Sequence, residues 1–147
     1  MTRFAESVLA SSFEKGELVV EIRKEALLPV LGCLKAEHGF NALSDIIALD
    51  NMRHAADTRA RFSVLYQLFK FPEAFRLRIK IELAEGETAD SITGIYASAD
   101  WAEREIFDMF GIRFAGHPDL RRIYMPDDFE GFPLRKDFPL KGKSDGL

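Results

Sequence analysis

The chain has 147 residues, 47% apolar and 30% charged, with 20 basic against 24 acidic side chains and a formal net charge of −4. That length suits one domain able to bury roughly two-thirds of its unfolded surface, and the mixed charge excludes wholesale disorder and gives no basic footprint for nucleic acid. The single cysteine, Cys33, excludes an intramolecular disulfide and any all-cysteine zinc or iron–sulfur site, and fits a reducing compartment.

The N-terminus, Met1 to Glu6, meets charge too early for a secretory signal, and Phe4, Val8 and Leu9 at helical spacing predict a short helix over Phe4–Ser12. Glu17 to Arg23 carries Leu18, Val19, Val20 and Ile22 and reads as a first strand. Lys24 to His38 follows at helical period, with Leu27, Leu28, Leu31 and Leu34 as a stripe, Pro29 in the first turn and Gly39 at the C-cap position. The longest apolar run, Ala26 to Leu34, is broken by Pro29 and Gly32 and falls far short of the roughly 20 residues a membrane helix needs. Asn41 to Asp50 is short enough for a buried strand, although periodicity alone does not separate strand from helix there.

Asn51 to Arg61 is polar and basic and reads as a connection. Phe62 to Phe71 and Phe75 to Leu83 alternate at the strand period around a Pro72-Glu73 turn, which predicts an antiparallel hairpin with one face in water and Phe75, Leu77, Ile79, Ile81 and Leu83 inward. Glu85 to Asp90 is an acidic turn, and Ser91 to Ala97 a helical turn leading into the next helix. The order β-α-β-β-β-α implies an α+β fold with one mixed sheet and helices on one face. The division expected is a globular domain over 1–111 and an extended C-terminal tail over 112–147.

The most informative stretch runs from Trp101 to Leu140. Asp100 followed by Glu103 suggests a capping box, Ala102, Ile106, Met109 and Phe110 form an apolar stripe, and Gly111 stops the helix. Asp108 falls in the last turn, where the helix dipole disfavours an anion; it is either simply solvated or paired with a cation from outside the helix. Beyond Gly111 come four of the six prolines, Pro118, Pro126, Pro133 and Pro139. The same stretch holds Phe114, Tyr124, Met125, Phe129, Phe132 and Phe138, which disordered tails lack. Proline-broken yet aromatic, it reads as a tail lying on another surface, its rings seated in partner pockets and Arg121, Arg122, Arg135 and Lys136 paired across the interface.

Three segments carry a family resemblance: Trp101 to Ile112, then Gly116-His117-Pro118-Asp119-Leu120-Arg121-Arg122-Ile123, and Pro126-Asp127-Asp128-Phe129 with Pro133-Leu134-Arg135-Lys136-Asp137-Phe138-Pro139-Leu140. They resemble the signature of the 30-kilodalton subunit, also called the C subunit, of proton-pumping NADH:quinone oxidoreductase, respiratory complex I. The family-motif and interface positions are Glu103, Arg104, Glu105, Asp108, Gly111, Gly116, His117, Pro118, Asp119, Arg121, Arg122, Pro126, Asp128, Pro133, Arg135, Lys136 and Asp137. The resemblance implies a non-catalytic core subunit of the hydrophilic arm, without a redox centre, supporting electron transfer from NADH to quinone. It further implies a quinone-site partner related to hydrogenase large subunits, FMN and iron–sulfur clusters in partner subunits, and a place at the cytoplasmic face of the bacterial inner membrane reached only through partners. The equivalent subunit of a related membrane-bound hydrogenase or other complex I-like dehydrogenase is the alternative.

Chemistry on the chain itself has weaker support. His38, His54 and His117 lack ligand spacing for a metal, and His117 before Pro118 suits a turn or interface hydrogen bond. Glu103, Glu105 and Asp108 could be imagined as a general acid/base set, but Glu103 and Glu105 face different sides of a helix, which favours ion pairing with Arg104, Arg121 or Arg122. Asp127-Asp128 with Glu130 offers too few fixed oxygens for calcium, and Gly142-Lys143-Ser144 lacks the context of a phosphate loop. Cys33 reads as packing.

Overall fold

The computed structural model describes residues 2–52 and 60–139. A five-stranded mixed sheet is built from β1 (Val8–Glu14), β2 (Glu17–Ile22), β3 (Ala42–Asp50), β4 (Phe62–Lys70) and β5 (Phe75–Leu83), in the order β1-β2-β5-β4-β3. All pairings are antiparallel except β2 with β5, which runs parallel with Leu18 opposite Leu77 and Val20 opposite Ile79. Two helices, α1 (Leu27–His38) and α2 (Ala99–Phe110), cover one face, and a short parallel ladder joins β6 (Ala89–Asp90) to β7 (Phe114–Ala115). No helix among the described residues is long and apolar enough to cross a membrane.

The core lies between the sheet and the helices. Val64, Tyr66 and Leu68 of β4 and Leu77, Ile79, Ile81 and Leu83 of β5 are buried against Leu27, Val30, Leu31 and Leu34 of α1 and Ile106 of α2. The alternation read for the hairpin thus sorts its faces, with one change at the tip, where Phe75 is 52% exposed instead of inward. On the opposite face the side chains bond to one another. Gln67 Nε2 donates to Glu17 Oε1 at 2.9 Å and Arg78 Nε donates to Gln67 Oε1 at 3.2 Å, linking β4, β2 and β5 through polar groups that water can reach.

The N-terminus departs from the helix expected over Phe4–Ser12: a 3-10 segment (Thr2–Ser7) leads into β1. Lys15 and Gly16 both have positive φ, at 52° and 82°, the backbone that a two-residue hairpin of the twist-matched type requires, and this turn pairs β1 with β2. Every residue of β1 is exposed, so its apolar spacing marks no buried helix face. The polar connection between β3 and β4 lies outside the described residues over 53–59. The turn after Ser91 is a single helical one, with the Tyr96 N–H bonded to the Ile92 carbonyl and the Tyr96 hydroxyl donating to the buried Phe40 carbonyl at 2.7 Å.

Candidate functional site: the end of helix α2 and the segment that returns to it

The N-terminal half of α2 is held differently from a capping box. The N-cap is Ser98, with no side-chain cap, and Asp100 lies inside the first turn. Glu103 reaches backwards out of the helix: one oxygen accepts from Ser91 Oγ at 2.7 Å, the other from the Ile92 N–H at 2.8 Å. It is fully buried and makes no ion pair with Arg104, Arg121 or Arg122, which corrects the expected pairing. Burial pushes its carboxyl above the ordinary glutamate value, only partly opposed by the Ile92 and Ser91 hydrogen bonds. Glu105 is exposed, so the carboxylates of this helix do not converge.

Asp108 resolves the question of an anion at a helix C-terminus. It is wholly buried, and Oδ2 accepts from three successive backbone N–H groups, those of Ile123 (3.2 Å), Tyr124 (2.7 Å) and Met125 (3.1 Å), while Oδ1 pairs with Arg122 Nη1 at 2.9 Å. Burial raises its pKa, but these donors outweigh that and hold it below the usual aspartate range. The cation from outside the helix is therefore Arg122, and three peptide groups join it.

A helix leaves its last four carbonyls without intrahelical partners. Here the Phe107 carbonyl accepts from the Gly111 N–H at 2.8 Å, that of Asp108 from Arg122 Nη1 at 3.1 Å, that of Met109 from the Leu134 N–H at 2.9 Å, and that of Phe110 from Arg135 Nε at 2.6 Å. Two guanidinium groups at this negative end also complement the dipole that Asp108 opposes. Up to residue 139, then, the segment returns to the domain before it. Arg122 and Arg135 find their acceptors on this chain, as Arg135 also pairs with Glu85 at 3.0 Å; this corrects the expectation that they pair across an interface.

The aromatic side chains pack around those cations. The Arg122 guanidinium lies 4.9 Å from the Phe132 ring centroid and 5.6 Å from that of Phe129, which stacks on Phe138. Gly111, at φ +77°, sits under Phe132: a Cβ there would lie 2.7 Å from Phe132 Cε2 and 2.9 Å from Arg135 Nη2. Gly111→Ala should cost about 2 kcal/mol, from left-handed backbone strain together with forced displacement of Phe132, measurable as a lower urea midpoint with unchanged m-value.

A second anchor lies at the far end of the same segment. Asp50, at the end of β3, accepts from Arg61 Nε (2.7 Å) and Nη2 (2.9 Å), the Met52 N–H (3.0 Å) and the Lys136 N–H (2.8 Å). Arg61 extends to Glu85 at 2.8 Å and Asp137 at 3.2 Å. Burial raises the Asp50 pKa, but the Arg61, Lys136 and Met52 donors overcome it and bring the carboxyl from 3.8 down to about 2. A depressed folded pKa contributes stability that is present above the unfolded value and lost as pH falls through the folded one. Asp50 should therefore supply roughly 2 kcal/mol at neutral pH that disappears between about pH 4 and pH 2. Acid titration of wild type against Asp50→Asn checks this, since the difference between them should shrink over that interval.

Of the remaining motif positions, His117 has its side chain buried, with Nδ1 accepting from the Asp119 N–H at 2.9 Å. Nε2 therefore carries the proton and faces Asp100 Oδ1 and the Asp100 carbonyl, each at 3.1 Å, so the histidine makes the turn contact its Gly116 and Pro118 neighbours suggest. Arg121 is exposed and among the described residues pairs locally with Asp119, at 3.0 Å. Pro126 accepts the Phe129 N–H through its carbonyl at 2.9 Å; Asp128 is exposed and Pro133 partly buried. Among the described residues no group of three or more His, Cys, Asp or Glu is placed to hold a metal ion. The residues that sequence reasoning missed are Ser91, Asp50 and Arg61, which join this region only through long-range contacts.

A family profile described as the 30 Kd subunit of respiratory-chain NADH dehydrogenase matches residues 20–144. The C subunit of NADH-quinone oxidoreductase from Trichlorobacter lovleyi is 48% identical over 95% of this chain and 85% of that protein. Its counterpart from Citrifermentans bemidjiense is 45% identical over 95% of this chain and 85% of its own length. Among solved structures, a trypsin-resistant fragment of Nqo5 superposes with a TM-score of 0.73 at 32% identity, over 79% of this chain and 92% of the fragment. A chain of an archaeal membrane-bound sulfane sulfur reductase shares the fold, with a TM-score of 0.78 at 20% identity over 94% of this chain and 81% of that one.

Proposed function

This chain belongs to the family of the 30 Kd subunit of respiratory-chain NADH dehydrogenase, and on that premise we propose that it serves as that subunit in an NADH:quinone oxidoreductase. The observation that carries this is a match extending over residues 20–144, from the sheet through the segment that closes on α2. In this reading the chain is a core, non-catalytic part of the hydrophilic arm and supports the subunit that binds quinone. FMN and iron–sulfur clusters belong to partner subunits, and the membrane is reached only through them, at the cytoplasmic face.

The geometry supports a scaffold. The buried carboxylates of α2 are spent on backbone donors and on Arg122, so they position chain and do not face an open cleft. The segment over 112–147 is taken as the docking tail: within its described part, up to residue 139, Asp108 and Asp50 clasp the inner side, and Tyr124 and Leu134, both more than half exposed, stand on the outer side. The equivalent subunit of a related membrane-bound complex would have the same fold; the identities of 48% and 45% to quinone-reducing relatives favour the first reading.

The test is a strain lacking this chain. NADH:quinone activity in its membranes should fall to background and return with the plasmid-borne chain, which should co-purify with the complex. Full activity in the deletion strain, from a complex purified without this chain, would sink the proposal.

A further inference from the structure

A tryptophan, an arginine and a tyrosine, the side chains most enriched where binding energy concentrates, meet on one outer face of the molecule. Trp101 in the first turn of α2 is 53% exposed and Tyr124 is 54% exposed, and their rings meet edge to face with centroids 6.4 Å apart. The Arg104 guanidinium lies over the indole, 5.2 Å from its centroid. The buried Asp108 fixes the arrangement from beneath, since its contact with the Tyr124 N–H sets the tyrosine beside the helix.

Arg104 shares with Arg113, which lies 5.1 Å from the Phe107 centroid, a place over a ring and, among the described residues, no carboxylate partner; it differs from Arg113 in its partly buried position and in its Nε. Arg61, Arg121, Arg122 and Arg135 each have a carboxylate within 3.2 Å, whereas among the described residues no carboxylate is within ion-pairing distance of Arg104. Its Nε is buried with no hydrogen-bond partner. The buried Nε is closed to a partner, whereas the Nη groups are not among the buried unmatched atoms; a guanidinium held by an aromatic ring with those two groups open can receive a carboxylate from outside the chain.

We propose that Trp101, Arg104 and Tyr124 form an anchor for a segment of a neighbouring subunit that presents an Asp or Glu side chain between apolar ones. The carboxylate pairs with the Arg104 guanidinium, and the apolar side chains cover the indole and phenol rings. Charge complementarity selects this occupant, since the patch offers an unpaired cation flanked by rings. Tyr124 makes it continuous with the outer side of the segment over 112–139. The proposal rests on reading the chain as one subunit of an assembly, and it specifies which patch docks and what chemistry it meets.

The complex itself provides the test. The full-length chains carrying Trp101→Ala or Arg104→Gln should melt at the wild-type temperature, while the amount retained in the complex through a salt wash falls at least ten-fold. In complex assembled with Arg104→Lys, zero-length carbodiimide coupling should join position 104 to an Asp or Glu of a neighbouring subunit. Retention equal to wild type in both variants, or coupling confined to carboxylates of this chain, would overturn the anchor, as would a fall in melting temperature matching the loss of retention. A wild-type chain that never enters the complex would instead refute the proposed function, so the two failures are told apart by that control.

Discussion

Asp108→Asn should destabilise the fold by about 3–5 kcal/mol, the range expected when one partner of a buried ion pair is removed. The substitution keeps the shape of the side chain but discards its charge and turns an amide NH2 towards donors. Oδ2 now serves the N–H groups of Ile123, Tyr124 and Met125, and Arg122 would be left with its side chain 10% exposed and its anion gone. Because the same guanidinium also caps the Asp108 carbonyl and bonds to that of Gly131 at 2.7 Å, the loss propagates from the helix end into the returning segment. Hydrogen exchange should speed up first at the Ile123, Tyr124 and Met125 amides, well before the β4–β5 ladder. Glu105→Gln on the exposed side of the same helix should move the urea midpoint little, which separates this effect from a general loss of negative charge. Unchanged exchange at those three amides in Asp108→Asn would show that the carboxylate does not hold the segment.

Arg61→Ala should cost about 3 kcal/mol. The carboxylate of Asp50 would remain in place, 5% exposed at the level of the whole residue, with the Met52 and Lys136 N–H groups but no cation. Its pKa should rise from about 2 towards the ordinary aspartate value, so the acid transition of the variant begins at higher pH than that of wild type. Asp137→Asn provides the contrast. That carboxylate is 46% exposed and touches Arg61 at 3.2 Å, and a screened pair of that kind is worth within about 1 kcal/mol. If Arg61→Ala and Asp137→Asn shifted the urea midpoint equally, the buried pair with Asp50 would not be the anchor of the segment's far end.

These two anchors mark the boundary between what the sequence made legible and what it did not. The β4–β5 hairpin was readable because its residues alternate between a buried and a wetted face, and alternation survives as a pattern in the chain. β1 was not, because a strand exposed on both sides leaves no such imprint; the usable signal was Lys15-Gly16, whose two positive φ angles close the hairpin. At α2 the apolar stripe located the helix, but Glu103 read as a capping-box or ion-paired carboxylate, and Asp108 as either solvated or paired with a cation from outside the helix. Their burial depends on Ser91 and Ile92 before the helix and on peptide N–H groups after it, and backbone donors have no signature in a sequence. The same holds for Asp50 and Lys136, 86 positions apart. The motif positions marked the region; only the fold shows that several of them bind to each other.

The parallel seam between β2 and β5 has a consequence for how the molecule is made. The β1–β2 hairpin and the β3-β4-β5 meander each close through contacts between chain neighbours, whereas the seam sets Leu18 against Leu77 across the whole of α1, β3 and β4. Closing that long loop costs entropy before its contacts return any, so joining the two halves is the slow event. Until it happens, β5 offers an unpaired edge with Leu77 and Ile79 on one of its faces. A chain emerging from synthesis would already hold β1, β2 and α1 when β5 appears. The order of elements therefore shortens the life of the open β5 edge, while β2 waits with its own edge open as α1, β3 and β4 are made.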